Sequence, residues 1–129
     1  MKPNIRIGYG VDVHQLAVGY PLWIGGTQLE APFGAVGHSD ADVLLHAICD
    51  ALLGAANLRD IGYHFSDTDS KFKGIDSKVL LSQVFDLIQE KGFTVGNLDC
   101  TVILEKPKVN PHIEVMQKVI ADLLKIETD

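Results

Sequence analysis

Several features that would narrow the class of a protein are missing from these 129 residues. No apolar run approaches the roughly 20 residues of a membrane-spanning helix, so we expect no membrane partner. Lysine and arginine form no run, and the net charge is −6, which argues against nucleic acid and anionic membranes as main partners. No signal-peptide pattern precedes the first predicted strand, and a cytoplasmic location is the expectation.

Cysteine is equally scarce, and repeats, low-complexity tracts and linkers are absent. The two cysteines, Cys49 and Cys100, form no Cys-x-x-Cys motif and lie within apolar stretches. Their pattern predicts two buried thiols in a reducing compartment. Hydrophobic residues make up 47% of the chain and charged residues 22%, which is typical of a globular protein. The length suits a single domain over residues 1–129.

What the chain does contain is an alternation of strand and helix patterns. In the first strand, Ile5, Ile7, Val11 and Val13 share one face, while the other face carries Gly8, Gly10, Asp12 and His14. The segment "YPLWIGG" predicts a short strand ending in a Gly-Gly turn, and "FTVGNLDCTVIL" predicts further strand. The predicted helices begin at Ser39 (as an N-cap, with Gly54 near the end), at about Asp76 (ending at Gly92) and at Asn110-Pro111. This order predicts an α/β sandwich, with one mixed sheet and helices packed on it.

The first strand raises the possibility of a metal site. Residues at i and i+2 of a strand share a face, so Asp12 and His14 can reach one point, and a carboxylate with an imidazole suits Zn²⁺. His46, on the first helix, is the candidate third ligand, and Asp42 or Asp50 can hold the other nitrogen of its ring. The alternatives are a surface Asp–His pair and a hydrogen-bonded core histidine.

Two further segments are candidate anion or sugar sites. The stretch Gly37–His46 places His38 and Ser39 at a helix N-terminus, which can bind an anion; plain helix capping is the alternative. In Arg59–Asp69, Gly62 allows close backbone approach and the last three residues offer acceptors for sugar hydroxyls or a cation. A solvated Asx-turn explains the same residues without a ligand.

Taken together, these segments resemble one known family. "RIGYGVDVHQL", "HSDADVLLHAICDALLGA", "DIGYHFSDTD" followed by "FKGIDS", and "EKPK..NPHI" occur in the order and spacing of the 2-C-methyl-D-erythritol 2,4-cyclodiphosphate synthase family. The resemblance covers essentially the whole chain. It implies an α/β sandwich that assembles as a homotrimer with active sites at subunit interfaces. It also implies conversion of 4-diphosphocytidyl-2-C-methyl-D-erythritol 2-phosphate to the cyclic diphosphate with release of CMP, in non-mevalonate isoprenoid biosynthesis.

The resemblance also assigns roles to residues. Asp12, His14 and His46 match the zinc ligands, and His38 matches the residue that stabilises the transition state. A second divalent cation, Mg²⁺ or Mn²⁺, is expected at the diphosphate of the small-molecule substrate. The implied substrate-binding residues are Asp12, His14, His38, Ser39, Asp60, Ile61, Gly62, His64, Phe65, Ser66, Asp67, Thr68, Asp69, and, from the adjacent subunit, Leu104, Glu105, Lys106, Pro107, Lys108, Val109 and Asn110.

The sequence departs from the family pattern at its end. The family continues into a last strand with a Lys-Ala-Thr-Thr-x-Glu-type motif, which contacts the transferring phosphate and the second metal. This sequence ends at Asp129, before that motif. Either the chain is truncated or the sequence is a portion of it; a chain that stops at Asp129 is expected to bind zinc and to cyclise substrate poorly or not at all. Two other functions remain open at this point: a metal-dependent phosphohydrolase that releases inorganic phosphate, and a non-catalytic ligand-binding trimer.

Overall fold

The structure, a computed structural model, describes residues 4–129. Four short strands and four helices occur in chain order: β1 (Leu16–Val18), β2 (Leu22–Ile24), β3 (Thr27–Leu29), β4 (Phe33–Ala35), α1 (Val43–Ala55), α2 (Ile61–His64), α3 (Ser77–Glu90) and α4 (Ile113–Leu124). Two 3₁₀ turns, Ser70–Phe72 and Asn110–His112, precede α3 and α4 respectively.

The strands form two small antiparallel sheets. β1 pairs with β4, so that Leu16 lies opposite Ala35, and β2 pairs with β3, so that Leu22 lies opposite Leu29. The α/β class is therefore confirmed, but the prediction of one mixed sheet is wrong for the described residues. The segments 5–14 and 93–104, which have strand-like patterns, pair with no strand within residues 4–129. A side-chain pattern predicts an extended backbone, whereas a sheet also needs a partner for its N–H and C=O groups.

The β2–β3 hairpin and helix α1 share one buried carboxylate. Gly25 and Gly26 form the predicted turn, with φ of 63° and 75°, the left-handed values that a type I′ hairpin turn requires. Their N–H groups donate to Asp42 at 2.9 and 2.7 Å, and Asp42 also accepts the N–H of Leu45 as the N-cap of α1. The helix thus begins at Val43 rather than just after Ser39, because Asp42 supplies the cap. It ends at Ala55, with Gly54 inside it.

The remaining helix boundaries follow the sequence pattern. Asp76 caps α3 through the N–H of Lys78, and Gly92, with φ of 88°, follows the end of the helix. Pro111 lies in the 3₁₀ turn that leads into α4. The apolar faces of α1, α3 and α4 meet β2 and β3 in one core, whose buried members include Leu45, Leu81 and Leu124.

The segment 5–14 lies flat against α1 through its glycines. A Cβ placed on Gly8 would lie 1.8 Å from the carbonyl oxygen of Ala51, and one on Gly10 would lie 2.0 Å from that of Ala47. Only a residue without a side chain permits this approach, so the glycines serve the contact with the helix. The opposite, apolar face of the segment points outward: Ile7 is 91% exposed and Val13 is 83% exposed.

Replacing Gly10 by alanine is expected to lower the free energy of unfolding by about 1–3 kcal/mol, the usual cost of overpacking. The added methyl group would meet backbone atoms of α1, which cannot rotate away. Urea unfolding followed by circular dichroism measures the change. Gly54→Ala is the matched control, because nothing lies within 4 Å of its Cβ position; we expect it to stabilise by about 0.5–1 kcal/mol. Similar stabilisation by both variants would contradict the close-contact role of Gly10.

The two cysteines differ in environment. Cys49 is buried in α1, as expected, whereas Cys100 is exposed, so the expectation of two buried thiols is wrong for Cys100. Burial, together with the charges of nearby acidic groups, raises the pKa of Cys49 far above that of a free thiol. Within residues 4–129, no helix combines the length and apolar character needed to cross a bilayer.

Candidate metal centre

Asp12, His14 and His46 converge on one point. One ligand atom from each lies within 4.8 Å of the others. His14 Nε2 is 2.8 Å from Asp12 Oδ2, His46 Nδ1 is 3.2 Å from the same oxygen, and the two ring nitrogens are 3.3 Å apart. Gly10 packs directly against α1, and Asp12 follows two residues later. The side chain of Asp12 therefore lies close enough to α1 to contact His46.

These three residues fit a tetrahedral cation. Zinc–ligand distances of about 2.0–2.2 Å in a tetrahedron separate neighbouring ligand atoms by about 3.3–3.6 Å. Two of the three separations, 3.2 and 3.3 Å, are close to this range, and the third, 2.8 Å, is shorter. Asp12 Oδ2 is buried and has no hydrogen-bond partner of acceptable geometry, although two ring nitrogens lie close to it. A buried carboxylate oxygen without a hydrogen-bonded donor is costly, and a cation at the centre of the triangle would stabilise it.

The electrostatics of the cluster favour a charged carboxylate. Burial raises the pKa of Asp12, but short contacts with His14 and His46 and the charges of the two rings outweigh burial and hold the pKa below its ordinary range. The contact with Asp12 raises the pKa of His14, against the opposing effect of burial. An ionised carboxylate beside two imidazoles is a donor set that suits zinc.

The remaining ring nitrogens are held by groups other than those expected. His14 Nδ1 lies 3.2 Å from the carbonyl oxygen of Val36. His46 Nε2 lies 2.8 Å from the hydroxyl of Ser77 and 3.1 Å from that of Ser39. The expectation that Asp42 or Asp50 holds this nitrogen is wrong, because Asp42 caps α1.

Asp50 is occupied elsewhere. Its carboxylate accepts the N–H of Ile61 at 2.8 Å, which ties α1 to the start of α2. Burial raises the pKa of Asp50, and the hydrogen bond from Ile61 partly offsets this effect. The contact of His46 with Ser77 was not predicted, although the motif "FKGIDS" contains that serine.

The two candidate substrate segments meet beside the cluster. His38 Nε2 donates to the backbone carbonyl oxygen of Asp69 at 2.9 Å, and the N–H of Gly74 donates to the carbonyl oxygen of His38 at 2.7 Å. Ser39 Oγ accepts the N–H of Ala41 as well as lying near His46. The hydrogen bond between His38 and Asp69 therefore brings the segments Gly37–His46 and Arg59–Asp69 together.

The stretch from Asp60 to Asp69 is organised by local capping. Asp60 caps α2 through the N–H of Tyr63, and His64 Nε2 donates to the carbonyl oxygen of Leu58 at 2.7 Å. Ser66 and Thr68 share a hydroxyl hydrogen bond of 2.7 Å, and Asp69 caps the 3₁₀ turn through the N–H of Lys71. The Asx-turn alternative thus accounts for Asp69. The other two acceptor residues of this loop, Asp67 and Thr68, are exposed.

The stretch from Leu104 to Asn110 is not joined to the cluster. Leu104 and Val109 pack against the core, whereas Glu105, Lys106 and Lys108 are exposed. Within residues 4–129, no hydrogen bond or ion pair connects this stretch to Asp12, His14 or His46. The described contacts therefore do not place this stretch at the cluster.

Comparisons with known proteins agree on one family. The sequence profile of the YgbB family matches residues 5–129. The 2-C-methyl-D-erythritol 2,4-cyclodiphosphate synthase of Porphyromonas gingivalis is 59% identical over 127 residues, which are 98% of this chain and 78% of the relative.

Solved structures of such synthases are similar in fold. A 2C-methyl-D-erythritol-2,4-cyclodiphosphate synthase in a CDP-bound form superposes with a TM-score of 0.82 at 36% identity, covering 96% of this chain and 83% of the other. The IspF of Plasmodium falciparum in complex with CDP gives a TM-score of 0.80 at 32% identity, covering 95% of this chain and 75% of the other.

Proposed function

Because the chain belongs to the YgbB family, and its curated relatives are 2-C-methyl-D-erythritol 2,4-cyclodiphosphate synthases, we propose that its catalysis depends on a zinc ion held by Asp12, His14 and His46. The reaction converts 4-diphosphocytidyl-2-C-methyl-D-erythritol 2-phosphate to 2-C-methyl-D-erythritol 2,4-cyclodiphosphate and releases CMP, within isoprenoid biosynthesis. The observation that carries the proposal is the buried Oδ2 of Asp12, which has no hydrogen-bond donor and lies 2.8 and 3.2 Å from ring nitrogens of His14 and His46.

The reaction joins two anionic groups of one molecule. The 2-phosphate attacks the β-phosphorus of the diphosphate, and CMP leaves. Charge neutralisation and positioning should therefore dominate the rate, and no side-chain nucleophile is needed. A bound zinc ion supplies Lewis-acid polarisation of a phosphate oxygen. A second divalent cation, Mg²⁺ or Mn²⁺, is proposed at the diphosphate because of the family resemblance and the charge of the substrate.

The chain's own residues bind and orient the substrate in this proposal. His38 is the transition-state stabiliser, and Ser39 contacts a phosphate beside it. Two described contacts support these roles: His38 Nε2 donates to the carbonyl oxygen of Asp69 in the loop, and Ser39 Oγ lies 3.1 Å from His46 Nε2 in the cluster. The proposed substrate wall consists of Asp60, Ile61, Gly62, His64, Phe65, Ser66, Asp67, Thr68 and Asp69 from the same chain, and the stretch from Leu104 to Asn110 from its neighbour.

Product analysis tests the proposed function. The protein is incubated with the substrate and both cations, and ³¹P NMR follows the phosphorus resonances. We expect CMP and the cyclic diphosphate to form in equal amounts. Formation of inorganic phosphate instead would identify a phosphohydrolase. Zinc-loaded protein that binds CDP and never turns over substrate would identify a ligand-binding protein.

A homotrimer with shared sites is the proposed assembly. The apolar face of segment 5–14 supports it: Ile5, Ile7, Tyr9 and Val13 are each at least 77% exposed and form one outward row. A contiguous exposed apolar surface of this kind is typical of a contact with another subunit. A cytoplasmic location is also proposed, because the chain carries free thiols and no disulfide among its described cysteines.

If each active site is shared between two subunits, mixing two inactive variants should restore part of the activity. Asp12→Asn removes a metal ligand and Lys108→Ala removes a proposed neighbour contact, so each variant alone should be nearly inactive. In a cyclic trimer with head-to-tail sites, every mixed trimer contains one site with both native residues. Equal mixing after denaturation and refolding should therefore restore about one quarter of the native activity.

Light scattering and native mass spectrometry confirm that mixed trimers have formed. The control is a mixture of Asp12→Asn with Asp12→Asn carrying a mass tag, which should stay inactive. Absence of rescue in verified mixed trimers, or a monomeric mass at micromolar concentration, would contradict the shared-site assembly.

A further inference from the structure

A chain of hydrogen bonds leads from the candidate metal centre to a carboxylate that the proposed function does not use. His46 Nε2 lies 2.8 Å from Ser77 Oγ, and Ser77 Oγ donates a hydrogen bond to Asp40 Oδ1. The backbone N–H of Ser77 donates to Asp40 Oδ2 at 2.9 Å. Asp40 therefore holds Ser77 by two bonds, and Ser77 in turn meets the ring of His46.

The direction of each hydrogen bond in this chain follows from which groups have a proton to donate. Every described partner of Asp40's carboxylate is a donor: the N–H and O–H of Ser77, and the N–H of Asp42 at 3.1 Å. A hydroxyl has one proton to give, and that of Ser77 goes to Asp40. Ser77 Oγ can then only accept from His46, so His46 Nε2 carries the ring proton. In a neutral ring, Nδ1 is left with its lone pair facing Asp12 and His14.

We propose that Asp40 and Ser77 are positioning residues that fix the tautomer and the ring orientation of His46. This proposal rests on the metal site described under Proposed function. A carboxylate, a hydroxyl and an imidazole in series present Nδ1 as a ligand and raise its basicity, as a direct carboxylate–histidine contact does in other metal sites. Ser77 is fully buried, so water does not compete for the contact.

The fold explains why this carboxylate reaches Ser77. Ala41, between the two aspartates, has φ of 58°, in the left-handed region. The turn sends Asp40 towards the first residue of α3 and Asp42 towards the hairpin glycines. The N–H of Asp40 also donates to the carbonyl oxygen of Ile75 at 3.1 Å. The carboxylate and the backbone N–H of Asp40 thereby hold the start of α3 close to His46.

Ser39 offers a second contact to the same ring nitrogen, at 3.1 Å. This contact is longer than that of Ser77, and the Ser39 hydroxyl also accepts the N–H of Ala41 at 3.2 Å. No carboxylate takes the proton of Ser39 among the described contacts, so its hydroxyl has no fixed direction. Only the hydroxyl of Ser77, of these two serines, has its proton donated to a carboxylate, so it must accept the hydrogen bond from His46 Nε2.

Zn²⁺ binding and ring-nitrogen NMR test the proposal together. The purified 129-residue chain and its Ser77→Ala variant are titrated with Zn²⁺ alone against a competing chelator. We expect the variant to bind Zn²⁺ about 10–100-fold more weakly. Ser82→Ala is the matched control, an exposed serine on the same helix, and should bind like the native chain. Asp40→Asn, which keeps the size of the side chain, should also weaken binding.

The spectroscopic readout separates positioning from a general loss of structure. In the metal-free protein at about pH 8, where an ordinary histidine ring is neutral, ¹⁵N NMR should show the proton of His46 on Nε2. In Ser77→Ala, the two tautomers should be mixed. A proton on Nδ1 in the native chain would overturn the proposal even if Ser77→Ala does not fold.

Failure of the positioning role and failure of the metal site would give different results. Native affinity for Zn²⁺ together with an unchanged tautomer in folded Ser77→Ala would overturn the positioning role while leaving the metal site intact. Failure of the native chain itself to bind Zn²⁺, with His46 still protonated on Nε2, would overturn the metal site and not the hydrogen-bond chain.

Discussion

His46→Ala is expected to lose both the bound zinc and the cyclisation activity. His46 is the only proposed ligand from α1, and its Nδ1 lies 3.2 Å from Asp12 Oδ2 and 3.3 Å from His14 Nε2. Without it, two ligands from one short segment remain, too few for the three-ligand set of a catalytic zinc site. Since the metal supplies much of the charge stabilisation, the rate should fall by at least about 10³-fold.

Metal analysis and CMP release check this expectation on the same samples. The native chain should carry zinc in a one-to-one ratio with subunits, and His46→Ala should carry almost none. His112→Ala is the matched control, a histidine at the start of α4 with no part in the proposed site. Full zinc content in His46→Ala would remove His46 from the ligand set.

His38→Ala should lower kcat by about 10²–10³-fold while leaving the zinc content unchanged. This is the usual cost of removing one group that stabilises charge in a transition state. The ring is not a ligand of the cluster; its Nε2 donates to the carbonyl oxygen of Asp69, which holds it beside the proposed substrate loop. The effect should therefore appear in turnover and not in metal binding.

Steady-state kinetics distinguish the proposed role from a purely structural one. A loss confined to kcat, with KM and CDP affinity near native values, supports transition-state stabilisation. A raised KM with kcat unchanged would instead make His38 a substrate-binding or loop-anchoring residue. His112→Ala again serves as the control histidine and should leave both constants unchanged.

Local patterns in the sequence determined the ends of some helices and two of the three proposed metal ligands. The period of two placed Asp12 and His14 on one face, and the structure confirms that they point at one centre. Asp76 and Gly92 correctly marked the ends of α3, because capping and left-handed φ depend only on near neighbours. The helix pattern made His46 the candidate third ligand, but a core histidine was an equally good interpretation of that residue, and the family motif favoured the ligand.

Only the tertiary structure decided which distant groups meet. His46 and Ser77 are 31 residues apart, and Gly25 and Asp42 are 17 apart. Their contacts depend on how α1 packs against α3 and the hairpin, which no local period encodes. The same reason explains the wrong sheet: segments 5–14 and 93–104 have strand patterns, but pairing depends on a neighbouring backbone, and side-chain alternation carries no information about that neighbour.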